Sequence, residues 1–123
     1  MPMRLLIVDD NQSFLESARV FLEREGLDVA GVASTADEAL RQVATLEPDV
    51  VLVDISLGKE SGLDLARRLA DRRPGAEPAV VLISTRGEAD VVDLIAASPA
   101  AGFLPKAELS AGAIRRIVDG RAS

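Results

Sequence analysis

Short apolar runs alternate along this chain with stretches in which apolar residues recur at helical spacing. Leu5-Leu6-Ile7-Val8 has no polar interruption, the pattern of a strand buried on both faces. Residues 13–25 then place Phe14, Ala18, Phe21 and Leu22 on one helical face, and Gly26 supplies a stop. Asp28 to Ala33 predicts a second, more polar strand, as suits a sheet edge. Thr35 with Glu38 makes a capping box, opening a helix with Ala39, Leu40 and Val43 turned inward and Pro48 at its end.

Val50-Val51-Leu52-Val53 is the third and most hydrophobic strand, which predicts a central place in the sheet. A helix over about Gly62 to Arg72 turns Leu65, Ala66 and Leu69 inward. The turn-rich stretch Arg73 to Pro78 leads into a fourth strand, Ala79 to Ile83. A helix over about Glu88 to Ala97 stops near Pro99, and a short strand follows around Gly102-Phe103-Leu104. Ser110 caps a last helix carrying Ala113, Ile114, Ile117 and Val118. Five βα units in succession predict one α/β domain over residues 1–123, a parallel sheet with right-handed crossovers and helices on both faces. No repeat, low-complexity segment or second domain interrupts the pattern.

Composition narrows the chemistry. The 123 residues contain no cysteine and no histidine. That excludes disulfides, thiolate or imidazole metal sites, Ser-His hydrolysis and a phosphohistidine donor. A net charge of −6 argues against unaided nucleic-acid binding, which needs basic side chains to replace phosphate counterions. No apolar stretch reaches signal-peptide or membrane-spanning length, so the expectation is a cytoplasmic location with no membrane contact.

The informative polar residues fall where strands end. Asp9 and Asp10 follow the first strand, Asp54 the third and Ser84 the fourth, and Lys106 sits just past the fifth. In a parallel sheet these ends share one edge, where ligands of open α/β sheets bind. Each is commonplace singly; five of complementary chemistry at successive stations are not. Three clustered carboxylates repel by roughly 4 kcal/mol per pair at about 4 Å and an effective dielectric near 20, so the group must take up protons or a cation. Oxygen-only ligands call for a hard ion, and Mg²⁺ fits. Metal, ammonium and hydroxyl together suit the oxygens of a transferring phosphoryl group, with Asp54 as acceptor of an acyl phosphate.

At these residues the chain closely resembles the receiver domains of two-component response regulators, from Leu5 to about Val118. The matching pieces are Leu6-Ile7-Val8-Asp9-Asp10, Val51 to Leu57 with Gly62, Val81-Leu82-Ile83-Ser84, and Phe103-Leu104-Pro105-Lys106. The resemblance implies a flavodoxin-like (βα)5 domain with strand order 2-1-3-4-5. It implies that Asp54 is the phosphoacceptor, that Asp9 and Asp10 hold Mg²⁺ with Asp10 favoured as the direct ligand, and that Asp54 and the Ser56 backbone carbonyl complete the protein ligands. Ser84 would bond a phosphoryl oxygen, and Lys106 would pair with that group or, before it arrives, with Asp54. Phe103 stands at the family's aromatic switch position, with ordinary core packing as the other reading. The implied role is a signalling switch rather than an enzyme with a substrate to turn over. Its implied phosphodonor is a histidine kinase or histidine phosphotransfer protein, and its target a downstream partner or a fused output domain. Gly58 departs from the family pattern, which often has proline there, and Ser56 and Arg86 stand where the family varies.

Three other readings compete. A Mg²⁺-dependent aspartyl-phosphate phosphatase would want an aspartate where Asn11 stands, and a cap insertion. A flavodoxin-like mononucleotide binder would want a Ser/Thr/Gly-rich loop after the first strand and stacking aromatics, but the loop is Asp-Asp-Asn-Gln and there is no Trp or Tyr. A receiver-like docking module that signals without phosphorylation would usually lack an acidic residue or the lysine, and all are present here. Apolar residues of the last helix such as Ile117 leave a homodimer open, with packing on the sheet preferred.

Overall fold

The computed structural model describes residues 3–71, 78–85, 92–96 and 98–122. Its main sheet is built from β1 (Arg4–Val8), β2 (Asp28–Ala33), β3 (Val50–Asp54), β6 (Ala79–Ser84) and β7 (Gly102–Pro105). All neighbours run parallel in the order β2-β1-β3-β6-β7, which is 2-1-3-4-5 in the count of the five sheet strands. Between β3 and β6 lie two short antiparallel strands, β4 (Ser56–Leu57) and β5 (Glu60–Ser61). The helices are α1 (Gln12–Arg24), α2 (Ala36–Leu46), α3 (Gly62–Ala70), α4 (Val92–Ala96) and α5 (Ala111–Ala122). This is the parallel α/β arrangement that the alternating pattern predicts, in the flavodoxin-like strand order that the family resemblance implies.

The alternation of side chains along each strand divides the core in two. Leu5, Ile7, Val50 and Leu52 pack with Leu15, Ala18 and Leu22 of α1 and with Ala111, Ala113 and Ile114 of α5. Leu6, Val8, Val51 and Val53 face the other way, onto Ala36, Ala39 and Val43 of α2 and Leu65, Ala66 and Leu69 of α3. Burial on both faces is why β1, β3 and β6 carry uninterrupted apolar runs while β2, at the edge, does not.

Several helix ends follow their sequence signals. Asn11 caps α1 through Phe14 N–H, and the Thr35 hydroxyl accepts from Glu38 N–H at 3.1 Å. Glu38 answers with its carboxylate to Ser34 N–H, one residue further back than a capping box usually reaches. The Ser110 hydroxyl accepts from Ala113 N–H at the start of α5.

The inward face of α1 differs from the expectation. Leu15, Ala18 and Leu22 form the buried stripe, whereas Phe21 is 44% exposed. Those three recur at intervals of three and four, so one stripe holds them all, and Phe21 falls at its border. Ile117 packs against the core beside β7, where a side chain at Gly102 would collide with its Cγ2 at 2.7 Å; packing is thus the role of that residue here. The expected linker at 73–77, the beginning of the fourth helix at 88–91, Ala97 and Arg86 lie outside the described residues.

Candidate functional site

Every parallel strand presents its C-terminal end to the same edge, and the polar residues stand there. Asp9 follows β1 and is fully buried, Asp10 beside it is exposed, and Asp54 is the last residue of β3. Carboxylate oxygens of Asp9, Asp10 and Asp54 all lie within 4.8 Å of one another. Ser84 closes β6, buried, and Lys106 opens the 3₁₀ turn that follows β7. Register brings these ends level: Asp54 pairs with Ile83, next to Ser84, and Ser84 pairs with Pro105, next to Lys106.

The lysine reaches across the edge to the acids. Its Nζ lies 2.5 Å from Asp9 Oδ2 and 3.3 Å from Asp54 Oδ2. Asp9 Oδ2 meets it as a close ion pair rather than through a directed hydrogen bond. Backbone groups hold the other oxygens, with Asn11 N–H donating to Asp9 Oδ1 at 2.9 Å and Ser56 N–H to Asp54 Oδ1 at 3.2 Å.

Burial pushes the Asp54 carboxyl above the ordinary carboxylate range, opposed by the Ser56 N–H, supported by the charge of Asp9 and opposed again by Lys106. For Lys106, burial alone would lower the ammonium's pKa. The close contact with Asp9, followed by the charges of Asp54 and Asp9, outweighs it and raises the value.

Three ionised carboxylates and one ammonium leave two negative charges uncompensated. The donors are all oxygen, one of them, Asp9 Oδ2, is buried without a hydrogen bond, and Asp10 opens toward solvent. That set fits a hard divalent cation that keeps part of its water shell.

The hairpin after Asp54 completes the rim. Gly58 turns it with φ +60°, the first central position of a two-residue loop, where glycine carries a II′ turn. A Cβ there would stand 3.2 Å from Asp10 Oδ2, so the turn lies directly against the acidic pair. Glu60 anchors the hairpin by accepting from Ala36 N–H, at the start of α2, at 3.0 Å. Gly62 is required for a second reason: a Cβ would sit 1.9 Å from the Asp54 carbonyl oxygen.

Six of the seven expected side chains or backbone groups (Asp9, Asp10, Asp54, Ser56, Ser84 and Lys106) therefore share one edge. Phe103 does not join them. It sits half-buried on β7, paired with Leu82 and packed against the apolar cluster on the α2–α3 side. Two participants were missed by sequence reasoning. Phe14, read as core, lays its ring 4.2 Å from Lys106 Nζ. Glu60, given no role from the sequence, holds the hairpin. The signal for Phe14 was its place three residues beyond the Asn11 cap, itself next to the acidic pair; nothing local pointed to Glu60, whose partner is distant in sequence.

Comparison with known proteins agrees with this geometry. The family profile of the response regulator receiver domain matches residues 5–118. Among curated relatives, the chain is 41% identical over 88 residues to protein-glutamate methylesterase/protein-glutamine glutaminase 5 of Myxococcus xanthus, covering 71% of this chain and 25% of that one. It is 35% identical over 95 residues to the DNA-binding response regulator MtrA of Mycolicibacterium smegmatis, covering 77% and 39%. The chain thus spans between a quarter and two fifths of these relatives. Among solved structures, the signal receiver domain of a modulated diguanylate cyclase from Desulfovibrio desulfuricans superposes with a TM-score of 0.78 at 30% identity, covering 98% of this chain and 93% of that one. A receiver domain protein from Methanospirillum hungatei gives 0.76 at 26% identity, covering 99% and 98%. With the sheet order, the acidic cluster and the lysine all in place, the chain belongs to the response regulator receiver domain family.

Proposed function

We propose that residues 1–123 form one receiver domain in which Asp54 accepts a phosphoryl group from the phosphohistidine of a histidine kinase or histidine phosphotransfer protein. A receiver domain is a signalling switch, not an enzyme with a separate substrate. The observation that carries the proposal is that Asp54 clusters with Asp9 and Asp10 while its Oδ2 lies 3.3 Å from Lys106 Nζ.

In the transfer an Asp54 oxygen attacks phosphorus and the phosphorus–nitrogen bond to the donor imidazole breaks, its electron pair returning to the ring nitrogen. Lys106 lies close enough to follow the phosphoryl oxygens as charge leaves the Asp54 carboxylate. Ser84, buried at the next strand end, offers a hydroxyl to a second oxygen. Asp9, Asp10, Asp54 and the Ser56 carbonyl would hold Mg²⁺, which supplies charge neutralisation for the phosphoryl oxygens. The Ser56 N–H keeps one Asp54 oxygen oriented.

The response runs through Ser84 and Phe103, which occupy adjacent strands β6 and β7. Movement of the Ser84 hydroxyl toward phosphate frees room for the Phe103 ring to turn inward, and the changed surface controls a downstream partner or an output domain. No helix among the described residues is long and apolar enough to cross a membrane, in keeping with a cytoplasmic site of action.

Incubation with a small phosphodonor and Mg²⁺, followed by intact-mass analysis, tests the assignment. The wild type gains the mass of one phosphoryl group and Asp54→Asn gains none. Undiminished labelling of that variant would sink it.

A further inference from the structure

The contact of Phe14 with Lys106 belongs to a closed circuit of interactions. Asn11 N–H donates to Asp9 Oδ1 at 2.9 Å, and the Asn11 side-chain oxygen accepts from Phe14 N–H at 3.1 Å. The Phe14 ring lies 4.2 Å from Lys106 Nζ, and that ammonium returns to Asp9 Oδ2 at 2.5 Å. The cap that begins α1 thus sets both the acid and the ring that hold one lysine. Three supports converge on Nζ: Asp9, Asp54 and an aromatic face.

These supports are not equivalent when a phosphoryl group arrives. A carboxylate holds the ammonium by neutralising it, and competes with phosphate for the same N–H groups. An aromatic face attracts the cation through its quadrupole while adding no net negative charge to repel the phosphoryl oxygens. The face also has no fixed acceptor direction, so the ammonium can shift from Asp54 toward a new oxygen without leaving it. Lys106 is only 14% exposed, which keeps the attraction from being screened by water.

We infer that Phe14 is a positioning residue for Lys106, holding the ammonium over the acceptor site so that it can pass from Asp54 to a phosphoryl oxygen. The inference rests on the reading of Asp54 as phosphoacceptor and adds to it a residue of α1.

Affinity for beryllium trifluoride in the presence of Mg²⁺, measured by calorimetry alongside thermal unfolding, tests the role. Phe14→Tyr keeps the ring face and should bind within about twofold of wild type. Phe14→Leu keeps the apolar bulk but loses the face, and should bind about 3- to 10-fold more weakly, the range of a partly shielded cation–π contact. In wild type the Lys106 Hε protons should show upfield ring-current shifts that vanish in Phe14→Leu. Wild-type affinity in Phe14→Leu would overturn the role, as would an equal loss in Phe14→Tyr, which would mark simple packing. If the wild type itself binds no mimic, the phosphoacceptor reading fails and the positioning role falls with it.

Discussion

Lys106 sits closer to Asp9 than to Asp54, at 2.5 Å against 3.3 Å. The lysine therefore serves two acids, only one of which is the proposed acceptor. Asp9 is fully buried and its Oδ2 has no hydrogen-bond donor to replace the ammonium. Losing the lysine would leave a buried carboxylate beside two others, and that geometry has consequences for stability as well as signalling.

Lys106→Ala is expected to destabilise the protein without cation by about 1–3 kcal/mol, below the usual 3–5 for breaking a fully buried pair because the lysine keeps some solvent contact. Millimolar Mg²⁺ should restore much of the loss, since a divalent ion replaces the missing charge. Asp54 should remain modifiable, while the chemical shifts of Phe103 should no longer respond to a phosphate mimic. Thermal unfolding with and without Mg²⁺ checks the first part and amide spectra the second.

Asp54→Asn has a sign set by the raised carboxyl pKa, caused first by burial and reinforced by Asp9. The folded protein binds that proton more tightly than the unfolded chain, whose value is the ordinary 3.8. The resulting stability is complete below about pH 3.8 and is lost as pH rises through the folded pKa. At neutral pH the ionised group is a cost, so Asp54→Asn should raise the unfolding midpoint by a few degrees, the scale of about 1 kcal/mol in a domain of this size. The gain should shrink on acidification and reverse at saturating Mg²⁺, where the wild type alone keeps all three ligands. A lower midpoint for the variant at pH 7 in chelator would contradict it.

Gly58→Pro would install the residue many receivers carry there. In this chain it should fail, because proline fixes φ near −65° and the turn needs +60°. Loss of the hairpin should cost more than about 1 kcal/mol and release the turn from Asp10, weakening Mg²⁺ binding severalfold. Gly58→Asn, whose Cβ would stand 3.2 Å from Asp10 Oδ2 at a positive φ, should be strained less than the proline variant and fall between it and wild type. Titration of amide shifts with Mg²⁺ separates the two variants; equal affinity in all three proteins would mean the turn does not shape the site.

Much of this molecule is legible in one dimension. The apolar runs of β1, β3 and β6 announce strands buried on both faces, and Thr35, Ser110 and Gly26 punctuate the helices by local chemistry. The acidic pair, Asp54, Ser84 and Lys106 are legible because strand ends of a parallel sheet share an edge, so sequence position stands in for space. The border of the α1 stripe was less clear. Phe14 and Phe21 are both aromatic and a turn or two apart, and hydrophobicity does not tell which one meets the core.

Asp54 stood out from the sequence alone as the candidate acceptor among five chemical groups, and the alternation of elements determined the sheet on which it sits. Only tertiary structure decided how those groups divide their interactions: that Lys106 leans toward Asp9, that Phe14 backs the ammonium, and that the Gly58 turn closes on Asp10 while Glu60 ties it to α2. The physical reason is range. Strand and helix patterns arise from neighbours within a turn or two, whereas the partner of a lysine is chosen by burial and by distances between residues up to about a hundred positions apart.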